Sequence, residues 1–351
     1  MTALASAGVR PHDAGGHVEA YCATGSSPGS APHSVGFFPV RLPLEHRGAS
    51  DVVIRYEDHG PVAAPAVVVL GGISAHRHLS PTGADPSHGW WPGVVGPGAA
   101  LDPRRHRIVG MDYLGGPGSP LAGTEPVTSA DQGRAVLAVL DHLKIDAATL
   151  LGASYGGMVA LALALDEPRR VRDLLLLCAA HRTHPMATAA RALQRNVARF
   201  ARECGREDEG LAFARALAMT TYRSSREFES RFGREWKPGA DGHPRFPVEE
   251  YLDARGRDFV GRFPADSFLH LSQSIDLHDV DPARLSVPTT LVSWDSDVLV
   301  PPWLVEELRQ SVECPCRHVE LSSPFGHDAF LKEPGDVSAV LTSVIGEGVA
   351  R

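Results

Sequence analysis

The sequence predicts an α/β protein with a mostly parallel sheet and an inserted helical segment. Three observations predict this class. Short apolar runs of strand length alternate with helical spacing near both ends of the chain. A Gly-x-Ser-x-Gly turn at 152–156 joins one such run to a helical stretch. Between about 181 and 285 the alternation stops, the sequence becomes helical and rich in Arg and Ala, and an apolar strand resumes at Val287.

These patterns divide the chain of 351 residues into four parts. Residues 1–35 are rich in Gly, Ala, Ser, Pro and His without periodicity, which predicts a mobile leader. Residues 36–180 and 286–351 predict the two parts of the α/β core. Residues 181–285 predict a helical lid above the carboxyl edge of the sheet, where a lid encloses a small-substrate site.

The core elements follow in order along the chain. Two β-like segments within 37–56 flank the turn at 45–48 and predict an N-terminal hairpin. Buried strands and one clear helix are then predicted from apolar runs and from helical spacing. The strands lie at 66–70, 107–111, 148–151, 174–177, 287–294 and 317–321, and the helix lies at 131–143.

Composition restricts the class of protein further. With 43% hydrophobic and 22% charged residues the chain suits a globular enzyme with one large core, and its net charge of -8 argues against a nucleic-acid partner. No run approaches the roughly 18 apolar residues of a membrane span, so a cytoplasmic location is the default expectation. The five irregularly spaced cysteines predict reduced thiols, and Cys314-Pro315-Cys316 lacks the second ligand pair of a zinc site. We therefore expect no metal and no disulfide framework.

The turn at 152–156 carries the chemistry. In Gly-x-Ser-x-Gly the glycines permit a strand-to-helix turn so sharp that the serine hydroxyl projects at the top of the sheet, beside the amides of the next helix. Such a pentapeptide also occurs by chance, but here an apolar run precedes it and an Ala/Leu-rich stretch follows it. Ser154 is therefore the predicted nucleophile for attack on a carbonyl group.

A serine nucleophile needs a base and an acid, which in folds of this kind follow it in the order Asp/Glu, His. The turn after the strand that begins at Val287 carries Asp295 and Asp297, and Asp297 is favoured because it directly precedes a Val-Leu-Val-Pro segment. The loop after the next strand carries His327 immediately before the last helix. Ser154, Asp297 and His327 make an ordered candidate triad, although 17 histidines and 42 acidic residues allow many accidental orderings.

Acyl transfer also needs donors for the developing oxyanion. The predicted strand at 66–70 ends in two glycines followed by Ile73 and Ser74, and glycines let the backbone turn its amides toward a ligand. We assign the oxyanion hole to the amides of Ile73 and of Tyr155, the residue after the nucleophile. The alternative for the first of these is an ordinary glycine turn after a strand.

The chain resembles a known family, the homoserine O-acyltransferases of methionine biosynthesis, over nearly everything after about residue 37. The matching segments are Gly89-Trp90-Trp91-Pro92-Gly93, Val95-Gly96-Pro97-Gly98, Gly152-Ala153-Ser154-Tyr155-Gly156-Gly157-Met158, Thr221-Tyr222-Arg223, Arg231-Phe232-Gly233-Arg234, Tyr251-Leu252 and Gly326-His327-Asp328-Ala329-Phe330-Leu331. The Tyr-Arg and Arg-Phe-Gly-Arg segments fall in the predicted lid, which distinguishes this family from generic esterases.

The resemblance implies an α/β-hydrolase fold and a ping-pong reaction through an acyl-serine. Acyl-CoA would be a substrate, no cofactor would be bound, and the chain would form a homodimer partly through the lid. The resemblance also implies Ser154 as nucleophile, His327 as base and Asp297 as the acid that orients the histidine. These three roles agree with the reading from the residues alone.

Contacts to the acyl acceptor are implied as well. Arg215 falls on the family arginine that grips the homoserine carboxylate, with Tyr222 beside it, and Asp328 falls on the residue that holds the substrate ammonium. A guanidinium is a planar fork that matches a carboxylate, which suits amino-acid recognition. On sequence alone Arg215 is alternatively part of a solvated helix face, and Asp328 is alternatively a helix N-cap.

One residue bears on the acyl donor. Arg191 stands in a helical segment that resembles the succinyl-using members more than the acetyl-using ones, and it could pair the distal carboxylate of a succinyl group. The alternative is a solvent-facing arginine in an arginine-rich helix. The Gly-Gly-Ile-Ser and Ala-Ser-Tyr segments also resemble compact succinyl-using members, so the sequence favours succinyl-CoA over acetyl-CoA.

Several positions depart from the family pattern and leave alternatives open. Gly71-Gly72-Ile73-Ser74 stands where His-Ala-Leu-Thr is common, Tyr155 stands where Met is common, and Asp112 and Pro117 replace Asn and Cys. The alternatives are a homoserine O-acetyltransferase, a serine O-succinyltransferase, and a serine esterase or thioesterase in which the acceptor contacts are dispensable. A binding protein with a dead site would require a broken triad, and all three members are present.

Overall fold

A nine-stranded mixed sheet forms the centre of the computed structural model, which describes residues 21–25, 32–239 and 242–348. The strands of this sheet are β1 (Tyr21–Gly25), β2 (His33–Leu44), β3 (Gly48–His59), β4 (Ala66–Leu70), β5 (Arg107–Met111), β6 (Ala148–Ala153), β7 (Val171–Leu177), β10 (Thr289–Trp294) and β11 (Cys316–Leu321). A separate two-stranded ribbon consists of β8 (Lys237–Pro238) and β9 (Pro244–Arg245).

Helices surround the sheet and form the segment between β7 and β10. They are α1 (Ser129–His142), α2 (Tyr155–Asp166), α3 (Pro185–Glu203), α4 (Glu207–Tyr222), α5 (Ser225–Arg231), α6 (Pro247–Val260), α7 (Ala265–Asp276), α8 (Pro302–Gln310), α9 (Ala329–Lys332) and α10 (Pro334–Gly348). Short 3₁₀ helices cover Pro168–Arg170, Pro282–Arg284 and Gly326–Asp328. No helix in the described ranges is both long and apolar enough to cross a membrane.

The strand order is β1-β2-β3-β5-β4-β6-β7-β10-β11. The pairs from β5 to β11 are parallel, and β1, β2 and β3 add antiparallel strands at one edge. The chain runs from β4 to β5 on one side and returns to β6 on the other. The carboxyl ends of β4 and β6 therefore flank a topological switch point, where open α/β sheets bind their ligands. The predicted α/β-hydrolase fold is confirmed.

The parallel strands form because their apolar residues are buried on both faces of the sheet. In β4, Val68 and Leu70 pack into one core cluster, while Val67 and Val69 pack into the cluster on the opposite face. This alternation follows from the two-residue period of a strand. Burying each such side chain contributes about 1.5–3 kcal/mol, so a continuous apolar run is stable only where helices cover both faces.

The segment predicted as a lid contains α3 to α7 and the β8–β9 ribbon. Helices α3 and α4 approach closely, because an added Cβ at Gly210 would lie 2.2 Å from the Cβ of Ala201. The ribbon is a feature that the helical prediction lacks. Its strands have two residues each and their side chains are largely exposed, so they carry no apolar run from which a strand could be predicted.

The N-terminal residues differ in part from the predicted leader. Residues 1–20 and 26–31 lie outside the described residues. Tyr21–Gly25 forms β1, which pairs with the beginning of β2, so these two segments belong to the sheet rather than to a leader. Their main-chain hydrogen bonds to a neighbouring strand, which composition cannot indicate, hold them there.

Candidate active site

Ser154 lies in the sharp turn between β6 and α2 and has φ 54° and ψ -121°. A non-glycine residue with positive φ is strained, and such strain persists where the surroundings fix the backbone. The positions on either side of the serine must be glycine, because neighbouring main-chain atoms approach them closely. A Cβ at Gly152 would lie 2.4 Å from the Gly156 carbonyl oxygen, and one at Gly156 would lie 2.2 Å from the Leu70 carbonyl oxygen. The turn therefore has room for its serine and not for side chains beside it.

The three residues of the predicted triad form one hydrogen-bonded chain. His327 Nε2 lies 2.7 Å from Ser154 Oγ, and His327 Nδ1 lies 2.7 Å from Asp297 Oδ2. The histidine comes from the 3₁₀ turn after β11 and the aspartate from the loop after β10. Both distances suit proton transfer from the hydroxyl to the ring and stabilisation of the resulting imidazolium.

Asp297 is held from behind by the main chain. Its Oδ1 accepts hydrogen bonds from the amides of Leu299 at 2.9 Å and Val300 at 3.0 Å, and the residue is only 3% exposed. Asp295, the alternative acid, accepts instead from Ser322 and Ser323 on the neighbouring loop. The geometry therefore separates the two candidates, because only the Asp297 carboxylate reaches the histidine.

The electrostatics of His327 follow from its burial and its partner. Burial opposes a charge on the ring, but the charge of Asp297 and its hydrogen bond outweigh this and raise the pKa of His327 above the ordinary value. Arg191 acts in the opposite direction, which places that guanidinium within electrostatic reach of the ring. The histidine is therefore a stronger base than free imidazole.

The two predicted oxyanion donors flank Ser154. Ile73 lies in the turn after β4 that the Ala75 amide closes on the Gly72 carbonyl at 2.8 Å. Tyr155 is the first residue of α2, where an amide has no partner within its own helix. The Gly156 amide donates to the Gly71 carbonyl at 2.8 Å and so ties the two segments together. Their amides are thus available at one end of the sheet.

The side chain of Tyr155, which stands where Met is common in the family, lies away from the active site. The Tyr155 side chain is fully buried, and its hydroxyl lies 2.6 Å from Ser274 Oγ. Its ring also meets the edge of Tyr113, whose hydroxyl donates to the Gly71 carbonyl at 2.7 Å. Tyr155 therefore braces the loop that carries Ile73 rather than lining the cavity.

A cavity of 170 Å³ opens over Ser154. It brings together residues of the two core parts and of the segment between them, and the predicted acceptor and donor contacts lie in its wall. The lining includes Ile73, Ser74, Trp90, Ser154, Met158, Arg191, Gln194, Arg215, Tyr222, His327 and Asp328. Two predicted site residues, Asp297 and Tyr155, do not line this cavity: Asp297 lies behind the histidine, and the Tyr155 side chain is buried in the core.

Arg215 lies between two aromatic rings. Its guanidinium carbon is 5.3 Å from the ring centre of Tyr222 and 5.0 Å from that of Phe259. Arg215 is half-buried, and no acidic residue in the described part of the chain forms an ion pair with it. The aromatic faces orient the fork and leave its hydrogen-bond donors for a ligand. The solvated-face alternative does not fit this environment.

Asp328 occupies the N-cap position of α9, but its side chain makes no capping hydrogen bond. One carboxylate oxygen instead lies 2.9 Å from Arg223 Nε. Burial raises the pKa of Asp328, and the nearby charges of Arg223, His327 and Arg215 oppose that rise. Arg223, which belongs to the Thr221-Tyr222-Arg223 motif, is the ion-pair partner of this carboxylate and had no predicted role. Its hydrogen bond to Glu227 at 3.0 Å, also unpredicted, divides the guanidinium between two acids.

Arg191 lines the cavity, but it is not free. It lies 2.7 Å from Asp276, which also lies 2.6 Å from Arg195. Two guanidinium groups thus share one carboxylate, which leaves a net charge of about +1 at this wall if all three are ionised. The solvent-facing alternative for Arg191 is not what the structure shows. Neither Asp276 nor Arg195 could be assigned from the sequence, because α3 and α7 meet only in three dimensions.

A second cavity of 670 Å³ adjoins the first and shares Ile73, Trp90 and Arg215 with it. Arg77 and Arg262 add positive charge to its wall, although Arg77 is paired with an acid, Asp112, at 2.6 Å. The glycine-rich loop Gly116-Pro117-Gly118 also lines this second cavity. The wider cavity therefore adjoins the one over Ser154 and carries basic side chains in its wall.

Fold and geometry together define the class of protein, an α/β-hydrolase-fold chain with a serine, histidine and aspartate in one hydrogen-bonded series. A family signature described as the alpha/beta hydrolase fold matches residues 65–334. A solved structure of homoserine O-acetyltransferase from Bacillus anthracis superposes with a TM-score of 0.76 at 18% identity, covering 88% of this chain and 97% of that chain. At that identity the likeness concerns the fold alone.

Curated relatives give the particular family. The chain is 42% identical over 324 residues to a homoserine O-succinyltransferase of Xanthomonas campestris pv. campestris, covering 92% of this chain and 87% of the relative. It is 34% identical to a homoserine O-acetyltransferase of Thermus thermophilus, covering 84% and 86%. It is 32% identical to a serine O-succinyltransferase of Litchfieldella anticariensis, covering 84% and 92%. The chain belongs to the homoserine O-acyltransferase family, as the sequence resemblance predicts.

Proposed function

We propose that this enzyme transfers a succinyl group from succinyl-CoA to the hydroxyl of L-homoserine, giving O-succinyl-L-homoserine and CoA in methionine biosynthesis. One observation carries the proposal. Ser154, Arg215, Asp328 and Arg191 line a single cavity, so a nucleophile, two groups for an amino acid and one cation for an acyl carboxylate face the same space. Acyl-CoA is a substrate in this reaction, and no resident cofactor takes part.

The first half-reaction acylates the serine. His327 Nε2 takes the proton of Ser154 Oγ, which attacks the thioester carbonyl carbon. The amides of Ile73 and Tyr155 donate to the oxyanion that develops, and pre-oriented donors of this kind act without reorganisation. The carbon–sulfur bond then breaks, and the imidazolium gives its proton to the departing CoA sulfur. Asp297 stabilises the imidazolium in between.

The second half-reaction uses the same groups in reverse. The acceptor hydroxyl gives its proton to His327, its oxygen attacks the acyl-serine, and Ser154 leaves with the returned proton. Water competes for this step. An acceptor held by Arg215 and Asp328 has an effective concentration on the order of 10⁵ M or more, far above that of water, so transfer exceeds hydrolysis.

Two lines support the succinyl donor. The relative from X. campestris, at 42% identity, is a homoserine O-succinyltransferase. Arg191 supplies a cavity-facing guanidinium whose cluster with Arg195 and Asp276 keeps a positive charge, as a distal carboxylate requires. The ion pair with Asp276 does not remove this role, because a guanidinium has five donors and the carboxylate uses few of them.

The second cavity suits the rest of the CoA molecule. It adjoins the triad cavity at Ile73, Trp90 and Arg215, and its lining includes the exposed Arg262. The narrow apolar arm of CoA would pass Trp90, and the phosphate groups of CoA would contact the guanidinium of Arg262. With CoA bound in this way, the thioester carbonyl would lie next to Ser154. The cavity over Ser154 would then receive the acceptor.

The runner-up is a serine O-succinyltransferase, which the relative from L. anticariensis supports at 32% identity. Serine carries the same carboxylate and ammonium as homoserine but one methylene less. A pocket discriminates against such a change by only about 1–3 kcal/mol, so the acceptor must be measured.

The exposed side of α3 supports the homodimer that the family resemblance implies. Met186, Leu193 and Phe200 follow one another at seven-residue intervals and are 71%, 64% and 69% exposed. Residues at that spacing lie on one face of a helix and form the seam of paired helices. Large apolar side chains in such a row are typical of an interface between subunits.

Chromatography of released CoA and mass identification of the product test the proposal. The purified enzyme is offered succinyl-CoA or acetyl-CoA with homoserine, serine or no amino acid. We expect CoA release that depends on homoserine and yields O-succinylhomoserine. O-acetylhomoserine would overturn the donor, O-succinylserine would overturn the acceptor, and release without any amino acid would make the enzyme a thioesterase.

A variant pair sharpens this experiment. Arg215→Lys keeps the charge but loses the planar fork, so we expect a higher KM for homoserine and a larger share of hydrolysis. Arg172→Lys is the matched control. Arg172 is exposed at the amino-terminal end of β7, whereas Ser154 follows the carboxyl-terminal end of the neighbouring strand β6. Equal hydrolysis in both variants would contradict the assigned acceptor contact.

A further inference from the structure

A second cluster of buried titratable side chains lies where β2 begins and β3 ends, outside the cavity over Ser154. In the antiparallel pairing His33 lies directly opposite His59. Glu57 precedes His59 by two residues, so its side chain lies on the same face of the sheet. Strand register therefore brings two imidazoles and one carboxylate together from segments that are far apart in sequence.

Their ligand atoms converge on one point. His59 Nε2 lies 3.1 Å and His33 Nε2 lies 3.7 Å from the same Glu57 oxygen, Oε2. The three ligand atoms lie within 4.8 Å of one another. All three residues are buried, with 9%, 2% and 4% exposure for His33, Glu57 and His59. Three metal-ligating groups thus face each other in an enclosed space.

One of these atoms has no hydrogen bond. Among the described residues His33 Nε2 is buried without a hydrogen-bond partner, and its 3.7 Å separation from Glu57 Oε2 is too long for one. Buried polar atoms in native proteins are nearly always satisfied by protein, water or an ion. The described part of the chain supplies no partner for this nitrogen, so a water molecule or a metal ion can satisfy it.

A neighbouring histidine completes the surroundings of the carboxylate. His78 Nδ1 lies 3.0 Å from Glu57 Oε2, while His78 Nε2 lies 3.1 Å from the Ser87 carbonyl oxygen. The Ser87 carbonyl and the Glu57 carboxylate both only accept, so His78 donates to both of them only when both ring nitrogens carry hydrogen. Carboxylate ligands of metals are commonly held by such outer hydrogen bonds. Arg77, whose Nε is 3.9 Å from Glu57 Oε1, is already neutralised by Asp112 at 2.6 Å.

We propose that His33 Nε2, His59 Nε2 and Glu57 Oε2 form a binding site for one divalent transition-metal ion of the Zn²⁺ type. Bonds of about 2.0–2.1 Å in tetrahedral geometry separate neighbouring ligand atoms by about 3.3 Å, which the 3.1 and 3.7 Å separations approximate. Two imidazoles and one carboxylate suit Zn²⁺, Co²⁺ or Ni²⁺, whereas Mg²⁺ and Ca²⁺ prefer oxygen ligands. Water completes the coordination.

The ion has a structural role in this proposal. It fastens the beginning of β2 to the end of β3, and through Glu57 and His78 it reaches the loop after β4, which carries Ile73. None of its ligands lines the cavity over Ser154, so the metal does not enter acyl transfer. This inference is independent of the proposed function. It departs from the expectation of no metal, which rested on the spacing of cysteines.

The test uses the full-length protein with any affinity tag removed, stripped with EDTA and freed of chelator. Calorimetry with Zn²⁺ and the visible spectrum with Co²⁺ measure binding, and elemental analysis gives the stoichiometry. We expect one ion per chain. We expect His33→Gln and His59→Gln to lower its affinity at least about 100-fold and His78→Gln to lower it about 10–100-fold. His46→Gln is the control, because His46 is exposed in the turn between β2 and β3.

A competing site must be distinguished. Cys178, Asp297 and His327 also place ligand atoms within 4.8 Å of one another. Metal bound there would block CoA release and would add thiolate absorption to the Co²⁺ spectrum, and both effects would persist in His33→Gln. That result would overturn the proposal, as would substoichiometric binding or equal affinity in His33→Gln and His46→Gln.

A measurement on the wild-type protein keeps the proposal testable if the variants do not fold. X-ray absorption of the Zn²⁺-loaded wild-type protein reports the atoms around the ion. We expect nitrogen and oxygen at about 2.0–2.1 Å with the outer pattern of two imidazoles. Sulfur at about 2.3 Å would refute the assignment to His33, Glu57 and His59.

Discussion

Replacing Asp297 by asparagine tests how the acid acts, because the structure determines which way the new amide faces. Asp297 Oδ1 accepts from the amides of Leu299 and Val300 at 2.9 and 3.0 Å, while Oδ2 meets His327 Nδ1 at 2.7 Å. In Asp297→Asn the carbonyl oxygen keeps the two backbone donors. The amide NH₂ then points at His327 and forces Nδ1 to accept rather than donate.

The energies support this orientation. Turning the amide around would leave two buried backbone donors facing an NH₂ group, at a cost of about 2–6 kcal/mol for the pair. With Nδ1 as acceptor, the ring hydrogen moves to Nε2, which faces Ser154 Oγ at 2.7 Å. The histidine then has no lone pair for the serine proton. A wrong tautomer of this kind costs about 10⁴-fold in kcat, or about 5.5 kcal/mol.

The assay follows CoA release by chromatography at saturating homoserine, and mass spectrometry of the intact protein shows whether the acyl-serine accumulates. We expect Asp297→Asn to lose about 10⁴-fold in kcat, to show no acyl-enzyme burst and to melt near the wild-type temperature. Asp295→Asn is the matched control, since that carboxylate contacts Ser322 and Ser323 instead of the histidine. Activity within tenfold of wild type in Asp297→Asn, or an equal loss in Asp295→Asn, would refute the reasoning.

The remaining predictions concern pH, donor and assembly. Because Asp297 raises the pKa of His327 and the base must be neutral, activity falls as pH drops through that pKa, and in the residual activity of Asp297→Asn this acid limb moves to lower pH. Arg191→Leu should lower kcat/KM for succinyl-CoA about 10–100-fold and leave that for acetyl-CoA within threefold, whereas Arg199→Leu, exposed on the same helix, changes neither. Leu193→Asp should shift the protein from dimer to monomer by light scattering, and a monomeric wild type would contradict the interface on α3.

Much of the fold could be predicted because its signals are local. The buried strands read as continuous apolar runs, and β4 and β5 begin and end at the predicted residues. The elbow at 152–156 likewise needs only neighbouring residues for its strained turn. Strand β1 could not be predicted, because it is held by pairing with β2 and carries no continuous apolar run.

In the candidate site, too, some features could be predicted from the sequence and others could not. Ser154, Asp297 and His327 each follow a recognisable strand, so order along the chain indicated a geometry that the hydrogen bonds now describe. The ion pairs of Arg191 with Asp276 and of Asp328 with Arg223 join different elements of the lid and core. Charge alone cannot reveal such partners, because any arginine in an arginine-rich segment fits the same pattern.

The two acceptor contacts differ in how ready they are for a ligand, and this difference bears on specificity. Arg215 has no acid partner in the described ranges and is oriented by Tyr222 and Phe259, so it can receive a carboxylate without losing an ion pair. Asp328 must share its charge between Arg223 and an incoming ammonium. At these proposed contacts we therefore expect carboxylate binding at Arg215 to contribute most of the affinity and the ammonium contact at Asp328 mainly to orient the acceptor.

An acceptor anchored at those two groups must still bring its hydroxyl to the acyl carbon on Ser154. Homoserine and serine present the same carboxylate and ammonium, so their ground-state binding at Arg215 and Asp328 should be similar. They differ by one methylene in reach, and a productive attack requires the reacting atoms about 3–3.5 Å apart. The shorter amino acid loses that approach after binding. Discrimination between the two acceptors should thus appear in kcat for the second half-reaction rather than in KM, and a pure KM effect would mean that a separate wall recognises the extra methylene.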